Sequence, residues 1–234
     1  MILNIITRTK GRPKFFQICY ETIHNLNFKK LKLNHWVIYD DDDTLEYLNN
    51  YKDIKLFKAG PCQQKMPAHG KLAHNDYFNQ VYQSIQEGVI FHVDDDDFIS
   101  HPNAFLDIED KILELKQDEV IIVQFEFAYN NTGPRPSLTS IKNEKIVLGE
   151  VGSSCIICPI QLAKQNTWPA IRCGDFHFIT ALCNKARSIH WLKHKIVNAF
   201  VPGLGLSKDL AESKWLTHPD IKKHWLNKIT LPDL

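Results

Sequence analysis

At 234 residues the chain is the length of one ordinary domain with room for a real core. Its 44% hydrophobic and 24% charged residues are the make-up of a soluble globular protein, and a formal net charge of +1 excludes a general pull toward nucleic acid. No apolar run approaches the length that spans a bilayer, and Met1-Ile2-Leu3-Asn4-Ile5-Ile6 turns polar too soon for a signal peptide.

The first half alternates strand and helix. Leu3 to Thr7 reads as a strand, followed by a helix from Pro13 to Leu26 with Phe16, Cys19, Ile23 and Leu26 at helical spacing and Pro13 in the first turn. His35 to Tyr39 is a second strand that ends in Asp40-Asp41-Asp42-Asp43, and Ile54 to Phe57 a third. A helix over Gly70 to Gln86 places Phe78, Val81, Tyr82 and Ile85 on one face. Gly88 then introduces Val89-Ile90-Phe91-His92-Val93, a brief run rich in β-branched and aromatic residues, which reads as a buried parallel strand ending in Asp94-Asp95-Asp96-Asp97. After Pro102 a helix buries Phe105, Ile108, Ile112 and Leu115. This succession predicts an α/β fold with a mainly parallel, doubly wound central sheet flanked by helices.

The second half is less regular. Val120 to Phe127 is a strong strand, Asn130 to Pro136 a turn-rich loop, Lys145 to Leu148 a short strand, Gly174 to Asn184 a helix and Ser188 to Leu192 a strand. The tail from Ser207 reads as helical and broken at Pro219. One domain over 1–234 is the simplest account, with a nucleotide-type half (1–118) and a partner-binding half (119–234). The six cysteines Cys19, Cys62, Cys155, Cys158, Cys173 and Cys183 lack a disulfide framework. Cys155 and Cys158 have CxxC spacing, but they sit in an apolar strand-like run with no second ligand pair. They read as buried reduced thiols, which implies a reducing compartment, the cytoplasm.

Ligands of open α/β sheets collect at the carboxyl ends of the parallel strands, where both acid clusters are expected. Four adjacent carboxylates repel unless something positive sits among them, and a hard divalent cation open to phosphate oxygens suits that place. An acidic turn capping the next helix is the competing reading. No glycine-rich phosphate loop follows the first strand, so a bound nucleotide would need a metal rather than backbone amides for its phosphates.

In this order the residues resemble family 2 of the GT-A fold glycosyltransferases, from Asn4 to about Ala181. Ile6-Thr7-Arg8 is similar to the family's first strand end, whose backbone meets the nucleoside. Tyr39-Asp40 is similar to its base-pairing acid, Gly70-Lys71-Leu72-Ala73-His74-Asn75 to its asparagine-bearing helix, and Val93-Asp94-Asp95-Asp96-Asp97 to its DxD signature. The resemblance implies donor contacts from Thr7, Arg8, Asp40, Lys71, Asn75, Asp94 and Asp95, and a Mn²⁺ or Mg²⁺ ion held by Asp96 with Asp94. It also implies a nucleoside-diphosphate sugar donor, with uracil favoured over thymine and guanine opposite Asp40, and a glycan or lipid-linked sugar acceptor.

Val151-Gly152-Ser153-Ser154-Cys155 is similar to the family's Gly/Ser-rich strand. Arg172-Cys173-Gly174-Asp175-Phe176 is similar to its catalytic motif, which implies Asp175 as the general base of an inverting transfer. Gly174 stands where the family often has an acid, and a helix cap is the plain alternative for Asp175. Arg8, Lys10, Arg12 and Lys14 suit either a diphosphate or a solvated basic loop. His190, His194 and His218 are candidates for a third metal ligand; His69 and His74 have no assigned role. Trp168, Trp191, Trp215 and Trp225 suit either core packing or a sugar face. Two other functions share the architecture, a sugar-phosphate nucleotidyltransferase and a non-catalytic nucleotide- or metal-binding module. The former normally carries a glycine-rich, Arg-containing loop, to which Thr7-Arg8-Thr9-Lys10-Gly11-Arg12 contributes one glycine.

Overall fold

Ile2–Arg8 (β1) is the strand from which the site is built, because its apolar side chains Leu3, Ile5 and Ile6 are wholly buried. In the computed structural model, which describes residues 1–64, 73–128, 132–199, 219–225 and 228, β1 pairs in parallel with Lys32–Tyr39 (β2) and with Val89–His92 (β4). Ile54–Lys58 (β3) extends this parallel half beyond β2. The connecting helices are Pro13–His24 (α1), which buries Phe16, Cys19 and Ile23, and Asp76–Ser84 (α3), which buries Phe78, Val81 and Tyr82. Phe105, Ile108, Ile112 and Leu115 are buried, around the short helix Glu109–Leu113 (α4).

The sheet as a whole is mixed, which corrects the mainly parallel expectation. Its order is β3-β2-β1-β4-β7-β6-β8-β5, where β5 is Phe98–Ile99, β6 Glu119–Phe127, β7 Ile156–Pro159 and β8 Ser188–Ala199. β7 runs antiparallel to both β4 and β6, and β5 antiparallel to β8, while β6 and β8 are parallel. The cause is the connection after β6. Segment 148–154 lines the same cleft as the carboxyl end of β6, so the chain returns from that edge as β7 and needs no crossover helix.

Three further departures are local. Lys145 to Leu148 is not a strand: Lys145 N–H donates to Ser140 O (3.0 Å) and Glu150 N–H to Val147 O (3.0 Å), so turns take its backbone groups. The acid cluster after β2 is partly helical, since Asp41 accepts from Thr44 N–H (2.7 Å) and caps Asp42–Leu48 (α2). β8 runs on to Ala199, and the short helices Leu138–Lys142 (α5) and Ile160–Lys164 (α6) were not expected. Gly174–Lys185 (α7) is helical. Most of the predicted tail helix, the start of the Gly70 helix and part of the Asn130 loop lie outside the described residues. No helix among the described residues is long and apolar enough to cross a membrane.

Gly88 sets the entry to β4. It has φ +94°, and a Cβ there would overlap the carbonyl oxygen of Ile2 on β1. Gly88→Ala is expected to lower stability by roughly 1–3 kcal/mol, read as an earlier urea midpoint at unchanged slope. An unshifted midpoint would mean that β4 does not approach β1 so closely.

Candidate active site

The parallel strands deliver their polar ends to one place. Arg8 ends β1, Asp40 follows β2 and Asp94 lies two residues beyond β4, and all three line a single cleft of about 660 Å³. Val93 N–H donates to Ile6 O (3.1 Å), which carries the strand pairing to the last residue before the acids. Asp40 accepts from Lys10 Nζ (3.0 Å) and from the Tyr77 hydroxyl (2.9 Å). Burial and then the Asp40 carboxylate push the Tyr77 phenol up to about 12, so it stays a donor.

The four acids after β4 splay in different directions around a turn closed by Asp97 N–H to Asp94 O (2.9 Å). Asp94 accepts from Arg8 Nη2 (3.1 Å) and Ser153 Oγ (3.3 Å). Asp95 is fully buried and pairs with Arg12 through two contacts, one of them Nε to Oδ2 at 3.0 Å. Asp96 accepts from Arg12 Nη1 (2.9 Å), and Asp97 from Ser154 Oγ (3.3 Å). Burial would raise Asp94, but Arg8, helped by Arg12, holds it below the ordinary carboxylate range. Burial raises Asp95 and Asp96 despite Arg12, and each also feels a neighbouring carboxylate. Asp94 and Asp96 both line the cleft, and their hard oxygens suit Mg²⁺ or Mn²⁺.

Across the cleft, Cys173 adopts a left-handed conformation (φ +57°) and turns the chain into α7, with Asp175 in its first turn. Asp175 Oδ1 accepts from Phe176 N–H (2.8 Å). Burial raises its carboxyl; the Phe176 bond opposes that and the Asp94 charge adds to it. Gly174 is required by contact. A Cβ there would lie 2.5 Å from Pro169 O and 2.7 Å from Asn75 Nδ2, so an acidic side chain does not fit this backbone.

The expected site residues are thus brought together unevenly. Arg8, Asp40, Asp94, Asp96 and Asp175 line the cleft, with Lys10 and Arg12. Asn75 is 8% exposed and works behind it, accepting from Arg8 Nη1 (3.1 Å) and donating to Pro169 O (3.3 Å) and Ile171 O (3.2 Å). The Thr7 side chain is buried and bonds to His35 Nε2 (3.0 Å); its neighbour Thr9 reaches the cleft. Asp95 points inward to Arg12. Lys71, His69, His218 and Trp215 lie outside the described residues.

His190 bonds to Glu119 (3.3 Å) and His194 to Ala104 O (2.6 Å), and neither lines the cleft. His74 does, and burial together with Arg8 pushes its imidazole down to about 4. Trp168 and Trp225 are core residues, and Trp191 packs against the core. Cys155 and Cys158 are buried, with thiols raised by that burial. Tyr77 escaped the sequence reading and was legible only as the residue preceding the apolar face of its helix; Ser153 entered it only as part of the Gly/Ser-rich segment.

No protein-family model and no curated protein sequence matches the chain. Solved structures do. S. aureus TarS 1-349 in complex with UDP-GlcNAc is similar over 94% of this chain and 68% of that one, at 16% identity and a TM-score of 0.65. The mannosyltransferase PcManGT from Pyrobaculum calidifontis, in complex with GDP-Man and Mn²⁺, is similar over 98% and 65%, at 13% identity and a TM-score of 0.58. The chain spans 66% of TarS 1-349 in a further structure, and 45% of the chain in the structure of S. aureus TarS. At such identities the likeness establishes the fold, which is that of GT-A glycosyltransferases.

Arg12 is the internal counter-charge of this site, and its removal leaves Asp95 and Asp96 unpaired. Arg12→Met is expected to destabilise the protein by about 2 kcal/mol, less than the roughly 3–5 kcal/mol of a fully buried pair because the Arg12 side chain is 27% exposed. Mn²⁺ should raise the melting temperature of this variant more than that of the wild type. A variant as stable as the wild type would show that the acids need no cation.

Proposed function

We propose that the protein is a glycosyltransferase that moves a sugar from a nucleoside-diphosphate donor to a hydroxyl acceptor. The observation that carries this is the convergence of Asp40, Asp94, Asp96 and Asp175 on one cleft of a GT-A fold. Residues 1–118 then supply the donor side and residues 119–234 the acceptor side. Arg12 is committed to Asp95 and Asp96, which speaks against the phosphate-gripping loop of a nucleotidyltransferase.

Asp40 would accept from the imide N–H of the base, with Tyr77 and Lys10 holding the carboxylate; uracil is favoured, as in the TarS complex with UDP-GlcNAc. The acceptor is a hydroxyl of a glycan or of a lipid-linked sugar. Asp94 and Asp96 would hold Mn²⁺ or Mg²⁺, which when bound supplies Lewis-acid stabilisation of the leaving diphosphate. Arg8 fixes Asp94 by an ion pair at 3.1 Å and braces it for that duty. Phe125, Phe127 and Phe176 give the cleft an apolar wall that limits water and offers ring faces to a sugar.

Asp175 takes the proton of the attacking hydroxyl as its oxygen bonds to the anomeric carbon and the bond to the diphosphate breaks. The product is inverted, and Asp175 later releases the proton to solvent. Burial places its pKa above that of an ordinary aspartate, closer to working pH, where a general base is effective.

Asp175→Asn is expected to cut turnover by at least about 10²-fold with donor binding nearly unchanged. The wild-type rate should fall as pH drops through the raised Asp175 pKa, because the protonated form cannot accept a proton, and the midpoint should lie above the ordinary aspartate range. Full activity in the variant, or retention of the anomeric configuration, removes Asp175 from this role. Asp96→Asn should weaken the hold on the divalent ion and so raise the Mn²⁺ concentration that gives half-maximal rate; an unchanged concentration places the ion elsewhere.

A further inference from the structure

A second constellation of ligand-type side chains lies at the far margin of the sheet, on the β5–β8 pair. The register fixes it: Phe98 faces Asn198, Ile99 faces Val197, and Ser100 N–H donates to Ile196 O (2.7 Å) and Ser100 Oγ to Lys195 O (3.0 Å). That ladder delivers His101 beside His194. A turn with Ala104 N–H on His101 O (3.0 Å) and Asp107 N–H on Asn103 O (3.0 Å) then folds Asp107 back toward them. One ligand atom from each of His101, Asp107 and His194 lies within 4.8 Å of the others. None of the three lines the catalytic cleft.

The details favour a metal over a simple ion pair. His101 Nε2 and Asp107 Oδ2 are 4.0 Å apart, too far for a hydrogen bond. Two ligands of a tetrahedral ion with bonds of about 2.0–2.1 Å sit roughly 3.3 Å apart, so small side-chain movements suffice. His194 Nε2 lies 2.6 Å from Ala104 O, which makes that nitrogen the N–H donor and leaves Nδ1 with its lone pair. A backbone carbonyl that fixes the tautomer in this way is the usual support of a metal-bound imidazole. His224, on the short turn Ile221–Trp225, has its ring centroid 5.7 Å from that of His101, near enough to complete the shell by turning its side chain. The segment is seated here by Trp225, whose Nε1–H donates to Ile99 O (2.8 Å).

We propose that His101, Asp107 and His194, with His224 beside them, bind a borderline divalent cation such as Zn²⁺. The ion would tie the turn after β5 and the 219–225 segment to β8. Imidazole-rich ligation separates this site from the all-carboxylate acid cluster, which suits Mg²⁺ and Mn²⁺.

The test is calorimetric titration of Zn²⁺ into chelator-treated full-length protein. Wild type and Asp96→Asn should each take up one equivalent at this site. His101→Ala and Asp107→Asn, the latter at an exposed position, should bind it at least about tenfold more weakly with unchanged far-ultraviolet circular dichroism. Co²⁺ in place of Zn²⁺ should give the visible bands of a tetrahedral nitrogen/oxygen site, without thiolate charge transfer. Equal Zn²⁺ affinity in wild type and both variants, loss of binding only in Cys173→Ser, or no uptake at all would overturn the proposal.

Discussion

Two guanidiniums hold three of the four carboxylates at the point where β1 and β4 leave the sheet, and the rest of the site is arranged around that ion cluster. Such charges survive burial only when paired and hydrogen-bonded. Arg12 takes Asp95 and Asp96, Arg8 takes Asp94, and Ser154 supports Asp97. Asp95 is spent entirely inside, 0% exposed, anchoring Arg12. Asp94 and Asp96 stay at the cleft wall, where their oxygens would meet a divalent ion that carries a diphosphate.

The same cluster is tied mechanically to the opposite wall. Arg8 donates to Asn75 as well as to Asp94, and Asn75 in turn donates to the carbonyls of Pro169 and Ile171. Those carbonyls belong to the turn that leads into α7, where Gly174 packs so closely on Pro169 that a side chain is excluded. One short path therefore runs from Asp94 to the helix start that carries Asp175. The distance between the donor-side acids and the proposed base is set by backbone contacts and a buried amide rather than by a flexible loop.

The parallel half was legible because its logic is local. Each strand is a short apolar run that stops at charged residues, and parallel strands necessarily present those ends at one edge, so Asp40 and Asp94 could be expected to share a cleft. The second half obeys no such rule. Segment 148–154 stays at the cleft edge and returns as an antiparallel strand, a choice made by tertiary packing that no periodicity in Ile156–Pro159 records. Arg12 read equally well as a solvated basic residue, because its partners lie more than eighty positions away in sequence. Gly174 looked like a departure from the resembling motif; the need for it is a through-space contact with Asn75 and Pro169. The bracing bonds of Asn75 to Arg8, Pro169 and Ile171 also join positions far apart in the chain, which no local pattern records.

The most direct test of the central claim, that this ion cluster frames a nucleoside-diphosphate site, is differential scanning calorimetry with UDP, GDP and ADP, each with and without Mn²⁺. A ligand at 100 times its dissociation constant stabilises the folded state by about 2.7 kcal/mol, roughly 5–10 °C for a chain of this size. The expected result is such a rise with UDP and Mn²⁺ together, larger than with UDP alone and larger than with ADP. A melting temperature unmoved by any of the three nucleotides, with or without the metal, would contradict it.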